Sequence, residues 1–262
     1  MSNDQGRSVE LEKKDRVATI WFNRPKARNA FNKQQRLSLI SALEDCEADD
    51  NIRAIVIAGR GAGFCAGADL TEGLAGYEQV SDQIIGEYKP SIMLIHNSAK
   101  LYISAVNGAA AGIGSAFAMA CDYTLMEESA YIYQAFAAIA LVPDGGATWQ
   151  LVRTLGYKRA LRMIVEGEKL PAEDCVALGL VNRVVKDGEV VTASRELAAR
   201  LAEGAPLAQQ HAKALCKAAM LNSLPEMIDR EAQCQNGCIT SADSAEGIDA
   251  FFNKRQPVFK GC

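Results

Sequence analysis

Two stretches of this chain put small residues where the backbone itself can do chemistry. One runs AIVIAGRGAGFCAGADL from Ala54 to Leu70, and the other runs ISAVNGAAAGIGSAF from Ile103 to Phe117. Each reads as a buried strand, a small-residue loop and a helix start. The first turn of a helix presents N–H groups without internal partners, and the helix dipole adds partial positive charge there. Two such ends facing one another form an oxyanion hole for a carbonyl oxygen that gains negative charge. Glycine and alanine suit these positions because bulky side chains would block access. Neither loop contains GxxxxGK[ST], so a phosphate-binding reading has little support. A third stretch, LVPDGGATW at 141–149, sets Asp144 just ahead of a helix. By position Asp144 reads as an N-cap, and by type it is also a carboxylate able to move a proton.

Other chemistry-bearing residues read as structural. His96 and His211 are the only two histidines and are isolated in sequence, which leaves little support for a histidine triad or a multi-histidine metal site. The eight cysteines lie far below disulfide-scaffold density and are expected to be free thiols. Cys234 and Cys238 share a helical face without a histidine near them in sequence. Cys65 lies inside the first loop without a neighbouring base. Asp69 with Glu72 gives a D-x-x-E capping pattern, and Asp122 follows an apolar helix. Tyr131 and Tyr133 alternate along a strand, so their rings share one face.

The elements that must position these groups follow from periodicity. Residues 9–12 and 17–22 flank a turn and predict a hairpin. Asn32 with Gln35 predicts a helix start, and Leu37, Ile40 and Leu43 mark one face of that helix. The runs 52–58, 100–106, 122–126 and 131–134 predict strands. Residues 69–99 read as irregular helix, of which Tyr77 to Asn97 is expected to cover the pocket. Pro171 and Pro206 fit first-turn positions, and Asp243 with Glu246 predicts a last capping box. The chain thus reads as α/β to about residue 190 and helical over 191–262.

Composition bounds the rest. The 262 residues are 49% hydrophobic and 23% charged, with a formal net charge of -4 and no dense basic cluster. That argues against a nucleic-acid partner. No apolar run is long enough to cross a bilayer, and the polar start lacks the apolar stretch of a signal peptide, which predicts a cytoplasmic protein.

Taken in order, NRPKARNAF (23–31), GFCAGADL (63–70), AVNGAAAGIGSAFAMACD (105–122), LVPDGGATW and AFFNKRQPVF (250–259) make the chain resemble the crotonase, or enoyl-CoA hydratase/isomerase, superfamily. The resemblance implies a spiral of strand-strand-helix units (1–190), a C-terminal helical trimerisation region (191–262), a CoA thioester substrate without a separate cofactor, and trimers or dimers of trimers. It places the oxyanion amides on Ala68 and Ile113, the latter beside Gly112. It places CoA and acyl contacts at Lys26, Ala27, Arg28, Ala66, Asp69, Leu70 and Phe136, with Phe251 and Lys254 added from the C-terminal helix, often a neighbour's. The two glutamates that family hydratases use to activate water are absent: Ala116 and Phe136 stand at their positions. The LVPDGGATW pattern is similar to that of 1,2-epoxyphenylacetyl-CoA isomerases and Δ3,Δ2-enoyl-CoA isomerases, which implies that Asp144 is the base. A hydratase using another carboxylate, such as Glu87 or Glu127, and a silent CoA-ester binder are the alternatives.

Overall fold

A computed structural model describes residues 6–74 and 76–262. Residues 1–5, part of the polar start, and Ala75, within the irregular segment, lie outside the described residues. In chain order the elements are β1 (Val9–Lys14), β2 (Val17–Phe22), α1 (Lys33–Ala48), β3 (Ala54–Gly59), α2 (Val80–Gln83), a π-helical turn (Ile84–Tyr88), α3 (Lys89–Asn97), β4 (Leu101–Val106), β5 (Ala109–Ala111), α4 (Ile113–Ala120), β6 (Tyr123–Glu127), β7 (Tyr131–Tyr133), α5 (Ala147–Leu155), α6 (Tyr157–Glu166), β8 (Lys169–Pro171), α7 (Ala172–Ala177), β9 (Arg183–Val185), α8 (Val190–Ala202), α9 (Pro206–Ala219), α10 (Leu224–Ile239) and α11 (Ala242–Phe252). Strand and helix alternate as the α/β spiral predicts.

One sheet runs β1-β2-β3-β4-β6-β9 and a smaller one runs β5-β7-β8. The β1–β2 hairpin is antiparallel, and β2, β3, β4, β6 and β9 pair in parallel. Strands in such a sheet are covered on both faces, so they read as continuous apolar runs. β3 and β4 are buried at every residue. Alternate side chains feed two cores. Ile20, Phe22, Ile55 and Ile57 face one side, where α1 and α4 pack. Trp21, Ala54, Val56 and Ala58 face the other, covered by Val190, Ala198 and Ala202 of α8.

Asn32 caps α1 as expected, accepting from the Gln35 amide at 2.9 Å. Two capping expectations are corrected. The cap of α11 is Ser241, which accepts from the Ser244 amide, whereas Asp243 accepts from the Lys260 and Gly261 amides and ties down the C-terminal tail. Pro206 opens α9, but Pro171 ends β8 and stands just before α7.

Candidate active site

The two glycine loops are drawn together by main-chain bonds. The Cys65 amide donates to the Ala109 carbonyl (3.0 Å), and the Ala111 amide donates back to the Cys65 carbonyl (2.9 Å). The first loop therefore runs as an extra strand beside β5. A side chain at Gly114 would put its Cβ 2.6 Å from the Cys65 carbonyl oxygen, so only glycine lets α4 approach this closely. On its other edge the loop is clamped to Phe31, whose amide donates to the Gly67 carbonyl (2.8 Å) and whose carbonyl accepts from Asp69 (3.0 Å). These bonds straddle Ala68. Ile113 is the first residue of α4, where an amide has no intrahelical acceptor. Among the described residues neither the Ala68 nor the Ile113 N–H donates to a protein acceptor.

Asp144 stands beside these loops. A Cβ on Gly145 would overlap Cδ1 of Ile113 and would lie 3.1 Å from Cβ of Ala116, so the Asp144–Gly145 backbone rests on the first turn of α4. Burial pushes the Asp144 carboxyl up to about 6, against the opposing pull of its own amide. Its Oδ1 is buried with no hydrogen-bond partner among the described residues. An orphaned buried polar atom costs about 1–3 kcal/mol, so this one calls for a functional explanation. The N-cap reading fails: α5 begins after Gly146 with no side-chain cap, and only the Asp144 carbonyl accepts, from the Ala147 amide at 3.0 Å.

The structure brings some expected contact residues to this place and not others. The Arg28 carbonyl accepts from the Ala66 amide (3.0 Å), which joins the Pro25–Ala27 turn carrying Lys26 and Ala27 to the first loop. The Lys26 and Arg28 side chains and Leu70 are exposed there. Phe136 is buried, with its ring edge 3.8 Å from the place a Gly112 Cβ would take. The Asp69 carboxylate caps the short turn that follows, as its capping pattern predicts, accepting from the Thr71 amide (3.2 Å) and hydroxyl (2.6 Å), and it also pairs with Arg24 (2.9 Å). Glu72 does not close a box with Asp69 but accepts from the Lys33 amide at the start of α1. Phe251 and Lys254 are not near the loops within one chain. Phe251, 80% exposed, lines a groove with Ala205, Leu207, Ile248 and Phe259, and Lys254 follows α11 in a left-handed conformation.

Other side chains are accounted for structurally. All eight cysteines are free, and burial raises the Cys65 thiol to about 12, which removes it as a nucleophile. The Tyr131 and Tyr133 rings share a face, as expected, and Lys169 lies over both. Asp122 pairs with buried Lys213 at 2.7 Å. Glu127 accepts from the Gly188 amide (2.9 Å) at the end of β6.

Sequence reasoning missed a buried polar cluster above the site. Arg36 of α1 and Glu87 of the π-helical turn are each 2% exposed and form a close ion pair. Arg36 also reaches Glu72 (3.1 Å), and Tyr77 donates to Glu87 (2.7 Å). The next residue, Tyr88, is 1% exposed, and its hydroxyl has no hydrogen-bond partner among the described residues. A π turn inserts one residue into the helical register, so 3.6-residue spacing could not have placed Glu87 and Tyr88 on the inner face.

The geometry agrees with what the chain is similar to. The family model described as enoyl-CoA hydratase/isomerase matches residues 12–262. A probable enoyl-CoA hydratase of Rhodobacter capsulatus is 37% identical over 97% of this chain and 98% of that protein. The 1,2-epoxyphenylacetyl-CoA isomerase of Escherichia coli is 34% identical over 94% of this chain and 95% of its own. The crystal structure of an enoyl-CoA hydratase from Polaromonas sp. JS666 superposes with a TM-score of 0.92 at 31% identity, covering 96% and 99% of the two chains. With the crotonase architecture in place from the hairpin to the C-terminal helices, the chain belongs to the enoyl-CoA hydratase/isomerase family.

Proposed function

We propose that this protein is an acyl-CoA thioester isomerase in which Asp144 shuttles the proton. The orphaned, desolvated Oδ1 of Asp144 beside the two free amides carries the reading. The thioester oxygen lies on the Ala68 and Ile113 amides. Asp144 takes a proton from C2, the amides stabilise the enolate, and the protonated carboxyl returns the proton at C4. The double bond moves and nothing else is consumed, so CoA serves only as part of the substrate. A carboxyl with a pKa near neutrality is matched to both halves of this transfer.

Hydratase is the name most of the similar proteins carry, and the residues weigh against it here. Ala116 and Phe136 move no proton, and the Gly145 backbone fills the space above Ala116. Glu87 is locked by Arg36 and Tyr77, and Glu127 by Gly188. Both oxygens of Glu87 are thus taken by protein donors.

The same reading includes self-association. Phe251, Phe252 and Leu224 are at least three-quarters exposed on the C-terminal helices, in keeping with trimers or pairs of trimers that bring Phe251 and Lys254 to a neighbour's CoA.

The test is α-proton exchange in D2O with a 3-enoyl-CoA and a saturated acyl-CoA. Wild type exchanges and migrates the double bond, and Asp144→Asn loses both by a factor of about 10²–10⁴ while still binding the thioester. Undiminished exchange in Asp144→Asn sinks the assignment. Absence of exchange in wild type favours a silent binder.

A further inference from the structure

Several buried polar atoms lack partners among the described residues, and two of them bear on the acyl site: proton transfer employs one, Asp144 Oδ1. The other is the Tyr88 hydroxyl. Its ring is held edge-on by Phe31 (6.1 Å between centroids) and Phe117 (6.5 Å), with the Arg36 guanidinium 5.5 Å from its centre. Phe117 lies one turn beyond Ile113 on α4. Burial raises the phenol's pKa, Arg36 opposes the rise, and the charges of Asp144 and Cys65 add to it. Phe31 is bonded to the loop on either side of Ala68 and Phe117 belongs to α4, so the Tyr88 ring packs against the elements that carry the two amides.

Among the described residues no protein group accepts the phenol proton. Arginine only donates, so whichever way Arg36 turns it gives the Tyr88 proton no acceptor. The neighbouring side chains Phe31 and Phe117 offer none. Phenylalanine would fill the same volume without burying an unpaired donor. A hydroxyl kept in such a place is matched to an acceptor that arrives with the ligand.

We infer that Tyr88 donates a hydrogen bond to an oxygen on the acyl chain, so that the preferred substrates are acyl-CoA thioesters bearing a hydroxyl or carbonyl group beyond the enolisable carbon. This rests on the reading of the Asp144 region as the acyl site. Asp144 moves the proton and Tyr88 selects the chain, so the two roles separate by experiment.

The experiment measures dissociation constants by calorimetry for hexanoyl-CoA, 4-hydroxyhexanoyl-CoA, 5-hydroxyhexanoyl-CoA and 5-oxohexanoyl-CoA. Saturated chains keep turnover out of the measurement. Wild type binds at least one oxygenated thioester fivefold or more tightly than hexanoyl-CoA, and in Tyr88→Phe that ratio falls to about one. A wild-type ratio below fivefold for every oxygenated chain overturns the proposal. So does a wild-type ratio that persists in Tyr88→Phe, including the case where all four ligands weaken together. Melting temperature supplies a separate check: Tyr88→Phe melts no lower than wild type, and a lower value means the hydroxyl has a protein acceptor, which also overturns it. Loss of exchange in Asp144→Asn is a different readout, so either reading can fail while the other stands.

Discussion

The side chain of Ile113 occupies the space that a Cβ on Gly145 would need, and Gly145 holds a left-handed φ of +57°. The residue whose amide is proposed for the oxyanion thus also supports the loop that carries Asp144. Gly145→Ala therefore strains the backbone by about 1–3 kcal/mol and pushes the Asp144 loop away from α4. Exchange falls at least tenfold with the thioester-binding loops intact. Adding Ile113→Val, which removes Cδ1, recovers part of the loss. Kinetics of the single and double variants check both statements.

The pH profile follows from the raised Asp144 carboxyl. As a base it works ionised, so exchange at subsaturating thioester rises tenfold per pH unit below about 6 and levels off above it. Initial rates between pH 4.5 and 8 read this directly. A break near pH 4 would mean that the carboxylate is solvated.

The same group affects stability. Its pKa is higher in the folded chain than in the unfolded one, so its ionisation opposes folding at neutral pH, and the penalty shrinks as pH falls through about 6 toward 3.8. Asp144→Asn is expected to be about 1–3 kcal/mol more stable than wild type at pH 7.5, with a smaller difference at pH 5. Denaturant midpoints at the two pH values make the comparison.

Arg36 and Glu87 are a buried pair, and removing one partner strands the other charge. Glu87→Leu is expected to cost about 3–5 kcal/mol and to loosen the Val80–Asn97 segment that carries Tyr88. The double variant Arg36→Met with Glu87→Leu regains much of that stability. Urea melts of the three variants test it, and a single-variant cost below 1 kcal/mol would contradict the burial.

Introducing glutamate at position 116 places a carboxylate under the Asp144–Gly145 loop in a fully buried position. Ala116→Glu is expected to abolish exchange without conferring hydration of a 2-enoyl-CoA, read by loss of enoyl absorbance. Hydration at a rate rivalling wild-type exchange would overturn the incompatibility of the two carboxylate positions.

Much of this protein was legible from residue types alone. Apolar runs and turn residues marked the hairpin and the parallel strands, because strands buried on both faces need continuous apolar sequence. The glycine loops and the ordered motif set pointed to the family, and the absence of both hydratase glutamates is a fact of sequence. Asp144 stands out there too: its position alone favours a helix cap, and only the motif set points to a base. Tertiary structure removed the cap reading, since α5 starts with no side-chain cap, and it supplied the desolvation and the lack of a partner, which are properties of the packed loop. It also paired Asp69 with Arg24 and Glu87 with Arg36, each across a long stretch of chain, and turned Tyr88 inward through a π turn. Local sequence specifies which segments can be buried. Which polar atoms become trapped without partners depends on distant segments arriving together.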